Sequence, residues 1–372
     1  MEFERDIAVI EGVVHGGDPA FDRVSEPLRE QALSRLRDAA REGGRDRFLL
    51  EAMGVIALGR NAHSRVIPNA AILVTPRRIV IRDGHPAWVE HGRATRILAV
   101  NGLASSRVMS AWEPLLAGNA VRRRVLSGLM LGWPAALEKA GAGAAPDIHY
   151  RLATGARRVF SRRDLVPALP LYPTGETGAL LPGQDDHGLP DGAFLERRAG
   201  LWWWRIADLS SLEADRVAHG LAAMSEQAGA NAVIDLRGNP GGSFLRALPL
   251  PDWLRSTWRG TRCAVLVDDY TFSAAIVTAA LITSHLGPRA RLFGSAMGDD
   301  LAFFAEGGMT PLPDSGAHLR HSSAWHDWQD GRVADSTPAE IAAHMIAAGP
   351  LCIIPCARAV QEATACAYAR GV

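Results

Sequence analysis

Two segments of the sequence share one pattern, in which an apolar run of strand length breaks into a turn of small residues. The first covers residues 232–242 (AVIDLRGNPGG) and the second covers residues 265–275 (VLVDDYTFSAA). Such runs are typical of buried strands. A glycine-rich turn can present backbone N–H groups to a ligand, and Ser273 precedes an alanine-rich helical segment. N–H donors beside a serine at a strand-to-helix junction are what acyl transfer requires, namely an oxyanion hole and a nucleophile.

The elements around these two segments alternate between strand and helix. Strands are predicted at 201–206, 232–236 and 263–267, and helices at 211–228 and 274–285. This alternation favours an α/β domain with a parallel-rich sheet. The first of these strands carries Trp202, Trp203 and Trp204. Because successive side chains point to opposite faces of a strand, the three tryptophans predict burial on both faces.

The N-terminal half has a different pattern. Residues 1–66 are predicted to be helical, with apolar residues at three-to-four spacing in 26–41 and 47–58. Residues 70–110 are predicted to be strands, joined by an Asp83-Gly84 hairpin turn and ending at an Asn101-Gly102 turn. Helix is predicted again at 103–140, and two further strands at 151–163.

Proline and glycine interleave through residues 164–192, which predicts a linker or an exposed loop. A chain of 372 residues is expected to hold two or three domains. We therefore predict a helical region at 1–66, a small β-rich module with its linker at 67–190, and an α/β domain at 191–372. The whole chain is expected to be α/β, or α+β overall.

Composition argues against several classes of function. The formal net charge is +0 and no block of like charges is present, so nothing favours a nucleic-acid partner. The sequence contains no stretch of 18 or more apolar residues, so we predict no transmembrane helix. Phosphate-binding loops, dinucleotide fingerprints and zinc spacings are also missing, so we predict neither cofactor nor metal. The first residues lack a secretory signal. The chain as written is expected to be cytoplasmic, or periplasmic or secreted if an export signal has been removed.

The two segments together resemble the tail-specific (C-terminal processing) protease and tricorn-core family of serine peptidases. The resemblance rests on the eight-residue stretch DLRGNPGG at 235–242 and on TFSAA at 271–275. It extends weakly over residues 45–345. It implies a crotonase/ClpP-like ββα catalytic domain, and a substrate-positioning module that is weakly similar to PDZ domains.

Ser273 is the predicted nucleophile. A helix beginning just after it would direct N–H groups and the positive end of its dipole at the reacting centre. Gly241 or Gly242 would supply one oxyanion donor, and the N–H of Ala274 the other. The alternative from the residues alone is that Ser273 merely caps the helix, and that the glycines form a plain turn.

A serine nucleophile requires a base. Processing proteases use a lysine about 25 residues after the serine, but residues 292–300 contain none, and the only lysine of the sequence is Lys139. The tricorn-like branch uses a histidine from the N-terminal half, and His63 matches it by position. Arg60, Asn61 and Ala62 depart from the usual residues before that histidine. The alternative is an exposed loop histidine.

The third member of the triad would orient the histidine. In histidine-using relatives an acidic residue lies somewhat under 60 positions after the serine, and this spacing falls on Asp330. Asp327 is the main rival and Asp335 a weaker one. The alternative is a solvated Asp-Gly turn.

The sequence therefore predicts a cofactor-free serine peptidase that acts on a peptide or protein substrate. Its triad would be Ser273, His63 and Asp330, in the cleft between domains. One alternative is a binding protein on the same fold, as in retinoid-binding relatives. Another is a hydrolase of non-peptide substrates. The sequence does not predict the oligomeric state.

Overall fold

The computed structural model describes residues 2–68, 71–76, 79–90, 93–143, 147–168 and 193–371. Residues 169–192, most of the predicted linker, lie outside the described residues. The chain divides into two compact units. The first is Met1–Leu181 with Phe303–Trp325, and the second is Pro182–Ala302 with His326–Val372. Both contain helices and sheet, which confirms a mixed α and β protein. The division into three domains stays a prediction.

The described residues form α-helices in both units. They are α1 (Glu4–Gly12), α2 (Glu26–Glu42), α3 (Arg45–Ala57), α4 (Ser105–Ser110), α5 (Ala120–Met130), α6 (Pro134–Lys139), α7 (Ala214–Ser225), α8 (Phe244–Ala247), α9 (Pro249–Ser256), α10 (Ala274–Leu286), α11 (Ala339–Ala342) and α12 (Arg358–Arg370). Among these residues, none lies in a helix that is both long and apolar enough to cross a membrane.

The described residues also form β-strands in both units. They are β1 (Arg65–Ile67), β2 (Leu73–Val74), β3 (Ile79–Arg82), β4 (His85–Glu90), β5 (Arg93–Val100), β6 (Leu103–Ala104), β7 (Asp147–Leu152), β8 (Arg157–Ser161), β9 (Val166–Pro167), β10 (Ala193–Arg198), β11 (Leu201–Ile206), β12 (Ala232–Asp235), β13 (Cys263–Val267), β14 (Ala290–Gly294), β15 (Ala302–Ala305), β16 (Gly308–Leu312), β17 (Ala317–His321), β18 (Ala324–Asp327), β19 (Arg332–Val333) and β20 (Ile353–Pro355).

The second unit is built on one sheet with the strand order β10-β11-β12-β13-β14-β20. All neighbours from β11 onward are parallel, and β10 is antiparallel to β11. The parallel-rich sheet predicted from the sequence is confirmed. Parallel strands need crossover connections, and α7 and α10 supply two of them. Trp202, Trp203 and Trp204 are at most 7% exposed, as their placement on both faces of β11 predicted.

Two helices of the second unit have contrasting compositions. Most of α10 is buried, and its sequence is apolar all round. α12 instead packs one stripe, including Ala365 and Ala369, into a core cluster on the sheet. The other buried members of this cluster are Leu201, Trp203, Val233, Ala264, Leu266 and Phe293. α12 therefore covers one face of the sheet along β11 to β14.

The first unit contains an antiparallel sheet in the order β3-β4-β5-β7-β8, with β6 paired to β5. Asp83 and Gly84 have φ of 48° and 74°, and Asn101 and Gly102 have φ of 48° and 83°. The hairpin predicted at Asp83-Gly84 and the turn predicted at Asn101-Gly102 are confirmed, because left-handed backbone at two successive residues matches the twist of the strands they join. The predicted helices at 26–41 and 47–58 correspond to α2 and α3, but the helical region ends at Ala57 and β1 follows.

Candidate active site

Ser273 occupies the junction between the turn after β13 and the start of α10. Its backbone has φ 53° and ψ −126°, a conformation that residues other than glycine rarely adopt. Residues held in such conformations cost roughly 1–3 kcal/mol and concentrate at functional sites. A strained strand-to-helix turn with a serine at its tip is the geometry of a nucleophile elbow. No side-chain capping hydrogen bond of Ser273 to α10 is present, so the capping alternative has no support.

The glycine turn lies directly against this serine. A Cβ on Gly241 would stand 2.7 Å from the Cβ of Ser273 and 2.9 Å from the carbonyl oxygen of Phe272. One on Gly242 would stand 2.6 Å from the carbonyl carbon of Leu209. The two glycines also have φ of 102° and 126°. Space and backbone conformation both require glycine at these positions.

Asp268 ties the two turns together. Its Oδ1 accepts hydrogen bonds from the N–H of Gly238 at 2.9 Å and from the N–H groups of Tyr270 and Thr271 at 3.1 Å. The Thr271 hydroxyl donates to the carbonyl oxygen of Leu236 at 3.0 Å. The Asp268 carboxylate also pairs with Arg358 at the start of α12, at 3.3 Å. One buried carboxylate therefore fixes the positions of both turns.

Asn239 provides a second connection. Its backbone oxygen accepts from the N–H of Phe272 at 3.0 Å. Its side-chain Oδ1 accepts from the N–H of Gly241 at 2.9 Å, and its Nδ2 donates to the carbonyl of Ile206 at 2.9 Å. The amide of Gly241 is thus engaged within the turn. This leaves the amide of Gly242 as the glycine N–H to consider for an oxyanion hole.

Asp235 and Arg237 form the buried base of the glycine turn. The Arg237 guanidinium donates from Nε at 2.9 Å and from Nη2 at 2.7 Å to the two Asp235 oxygens, and from Nη2 to Glu362 at 2.8 Å. Burial alone would lower the pKa of Arg237, but the hydrogen bonds and charges of Asp235 and Glu362 raise it. The pair has a structural role, because its hydrogen-bonding groups face one another.

His63 lies in the first unit, in the loop between α3 and β1. It is 2% exposed, so the alternative of an exposed loop histidine is wrong. Its ring stacks on Phe303 with centroids 5.3 Å apart and planes inclined by 18°. Its backbone N–H donates to the side-chain oxygen of Asn61 at 3.0 Å. The loop backbone and the ring face are therefore both fixed within this unit.

A buried network of hydrogen bonds centred on Asn61 holds the His63 loop in place. The Asn61 Nδ2 donates to Ser64 Oγ at 2.7 Å, to Ser322 Oγ at 2.9 Å and to Asp18 Oδ2 at 3.3 Å. Ser64 Oγ also donates to Asp18. Asp18, Asn61, Ser64 and Ser322 are at most 4% exposed. Asn61, one of the departures from the family pattern, is thus the centre of a network that holds the loop.

The predicted acids lie in the second unit: Asp327 ends β18, Asp330 lies between β18 and β19, and Asp335 follows β19. Asp327 has a buried carboxylate, which accepts from the N–H of Asp330 at 3.0 Å and from Arg332 Nε at 2.8 Å. Burial would raise the pKa of Asp327, but these hydrogen bonds and the Arg332 charge lower it. The Asp330 side chain is 49% exposed and pairs with Arg332 at 2.7 Å. Asp335 is exposed.

The structure brings together Ser273, Gly241, Gly242 and Ala274 in the second unit. Sequence reasoning missed Asn239 and Asp268 as the groups that connect the two turns. A signal was present, since an Asp three residues before a Thr after a strand is a typical side-chain-to-backbone turn motif. Among the described residues, no three His, Cys, Asp or Glu side chains gather as a metal site would require.

No family model and no curated protein matches the sequence. Solved structures share its fold. A serine-to-alanine variant of CPAF matches with a TM-score of 0.56 at 12% identity, over 98% of this chain and 95% of that one. Mature CPAF matches with 0.54 at 13% identity, over 88% and 90%. CPAF complexed with lactacystin matches with 0.50 at 13% identity, over 86% and 90%. CPAF is a tail-specific-protease-like serine protease, and this chain shares its mixed α and β fold.

Proposed function

We propose that this protein is a serine peptidase that hydrolyses peptide bonds through an acyl-enzyme at Ser273. The observation that carries the proposal is the backbone of Ser273, φ 53° and ψ −126°, at the tip of a turn that faces two glycines. A chain retains such strain where it holds a nucleophile in position. The fold shared with CPAF supports peptide or protein substrates.

In the proposed reaction, Ser273 Oγ attacks the scissile carbonyl carbon. The carbonyl oxygen becomes an oxyanion, which accepts hydrogen bonds from the N–H groups of Gly242 and Ala274. Ala274 begins α10, so the helix dipole adds to this stabilisation. Gly241, whose own N–H donates to Asn239, contributes the absence of a side chain between the two turns.

We assign His63 as the base. It would take the proton from Ser273 Oγ and return it to the leaving amine, which leaves the acyl-enzyme for water to hydrolyse. The Asn61 network gives this histidine a fixed backbone, as a base that must keep one orientation requires. We retain Asp330 as the proposed acid and Asp327 as its rival. Asp327 already accepts two structural hydrogen bonds, which favours Asp330.

We extend the proposal to the two parts of the fold. The sheet β11 to β14 with α10 and α12 would be the crotonase/ClpP-like catalytic part. The antiparallel sheet β3-β4-β5-β7-β8 would be a PDZ-like module that positions peptide. The support is that a strand-turn-helix series carries Ser273, whereas the other sheet carries exposed turns and flanking helices.

The test is a pre-steady-state burst with an activated ester. The wild type should release one equivalent of leaving group rapidly before slower turnover, because acylation precedes hydrolysis. Ser273→Ala should show no burst while keeping the wild-type circular dichroism spectrum. A burst of equal size from folded Ser273→Ala would refute the proposal and would favour a different nucleophile or a binding protein.

The base is tested with two variants. His63→Ala should lose turnover by several orders of magnitude. Lys139→Ala should be nearly silent, because the Lys139 ammonium pairs with Glu51 at 2.5 Å on the surface of the first unit. An inactive Lys139→Ala with an active His63→Ala would reverse the assignment.

The acid is tested separately. The activities of Asp330→Asn, Asp327→Asn and Asp335→Asn, compared on one substrate, would identify it.

A further inference from the structure

The first unit contains an open cavity that the proposed chemistry does not use. Its volume is about 220 Å³, and it lies between the β3–β4 turn, β5, α4 and α5. Gly84 and His85 line one wall, and Glu113 lies at the edge. Four serines also line it, at 105, 106, 110 and 127. Its size suits a small polar group rather than a large apolar ligand.

Three arginines converge on this cavity, namely Arg96, Arg123 and Arg124. The Arg124 guanidinium lies so close to the β3–β4 turn that a Cβ on Gly84 would stand 3.3 Å from its Nη1. Arg123 donates from Nη1 to the carbonyl of Gly118 at 2.5 Å, which anchors it at the rim. Within the described part of the chain, none of the three forms an ion pair.

The fold accounts for this convergence. The left-handed Asp83-Gly84 turn places His85 at the start of β4, and the pairing of Ala87 with Arg96 sets Arg96 on the adjacent strand. α5 packs tightly on β3, since a Cβ on Gly128 would stand 2.5 Å from the Cδ1 of Ile81. Arg123 and Arg124 are on that same helix. Like charges repel in such a cluster unless an anion compensates them.

The pKa of His85 is sensitive to the same positive charges. Burial lowers the pKa of His85, the charges of Arg96 and Arg124 lower it further, and Asp83 opposes them. Among the described residues, Glu113 lines the cavity and Asp83 acts on His85, against three guanidinium groups in the lining. The cavity retains an excess of positive charge with hydroxyl groups around it.

We propose that this cavity binds the phosphate group of a small phosphorylated molecule. A phosphate dianion has several acceptor oxygens, which match the fork-shaped guanidinium donors of Arg96, Arg123 and Arg124. A carboxylate carries one charge and two acceptor oxygens, so it would satisfy fewer of them. The residues of this site belong to the first unit and do not include Ser273, and the proposal does not depend on the protein being a peptidase.

The experiment titrates the full chain with inorganic phosphate and with phenyl phosphate at pH 7.5, by calorimetry. Acetate and a short peptide with a free carboxyl terminus serve as carboxylate arms. The wild type should bind the phosphates at one site and more tightly than either carboxylate. The double variant Arg96→Ala with Arg124→Ala should lose at least tenfold in affinity. Arg107→Ala, an exposed arginine of α4 outside the cavity lining, should bind like the wild type.

The ¹H chemical shift of the His85 ring provides a second readout. Bound phosphate should raise the pKa of His85, because a nearby anion favours the charged imidazole. Arg96→Ala should raise it even without phosphate. Unchanged affinity in the double variant, no saturable binding in the wild type, or tighter binding of a carboxylate would each overturn the proposal.

Discussion

At the scale of single residues, the account rests on the backbone of Ser273. Its φ of 53° and ψ of −126° are tolerable for glycine and costly for serine. The surrounding hydrogen bonds of Asn239 and Asp268 hold the turn in this shape. The strain therefore stabilises nothing by itself, and the proposed role of Ser273 as nucleophile would account for its retention.

A stability measurement tests this strain. Ser273→Gly should raise the free energy of unfolding by about 1 kcal/mol, because relief of roughly 1–3 kcal/mol of strain exceeds the extra backbone entropy that glycine loses. Ser273→Ala keeps the Cβ and should change stability little. Urea denaturation of the three proteins gives the comparison. A Ser273→Gly protein less stable than Ser273→Ala would show that the turn is not strained.

Gly241 gives a residue-scale prediction on activity. Gly241→Ala places a Cβ 2.7 Å from that of Ser273, so the two turns must separate. We expect ester hydrolysis to fall by at least a hundredfold, the typical cost of losing one oxyanion donor. Gly229→Ala is the matched control, because a Cβ there meets nothing within 4 Å. Equal activity of the two variants would place the glycine turn outside the site.

At the scale of elements, Asp268 connects β12, β13 and α12. Asp268→Ala would remove the side-chain acceptor of the N–H groups of Gly238, Tyr270 and Thr271, of which Thr271 keeps the Asp268 backbone oxygen at 3.0 Å. We expect a loss of about 3 kcal/mol in the free energy of unfolding. Arg358→Ala removes the 3.3 Å pair with Asp268 but leaves the turn N–H groups their acceptor, so it should cost less than Asp268→Ala. If the two variants were equally destabilised, the ion pair rather than the turn hydrogen bonds would hold the elements.

Strand β18 carries a buried titratable group, His326. Burial lowers its pKa from 6.5 to about 4, so folding favours the neutral ring. Its contribution to stability is complete above pH 6.5, is lost as the pH falls toward 4, and amounts to about 3 kcal/mol. His326→Gln should flatten the dependence of unfolding free energy on pH in this window. The exposed His219→Gln is the control, and an unchanged slope in His326→Gln would contradict the burial argument.

The sequence predicted the strands and turns that local chemistry determines. Asp83-Gly84 and Asn101-Gly102 dictate hairpins by themselves, and the run 263–267 is apolar enough to define β13. It could not predict that Asn239 contacts both Ile206 and Phe272, because such contacts depend on which strands become neighbours. For the same reason it could not predict that Asp18, Asn61 and Ser322, which are far apart in sequence, meet beneath His63.

At the scale of the whole molecule, the fold of CPAF recurs here at 12% identity. A fold survives such divergence when apolar positions keep their periodicity, because burial tolerates exchange among hydrophobic residues. In this chain β11, β12 and β13 are buried at every position, as strands covered on both faces are, and glycine occupies positions 241 and 242, where space demands it. The proposed chemistry is less tolerant, since it requires one nucleophilic serine.

The most direct measurement is covalent labelling with a fluorophosphonate, followed by intact mass and peptide mapping. The account predicts one adduct per chain on the peptide that contains Ser273. It also predicts that Ser273→Ala, with an unchanged circular dichroism spectrum, gains no adduct. Labelling that persists in Ser273→Ala, or an adduct mapped to another serine, would contradict the claim that Ser273 is the nucleophile.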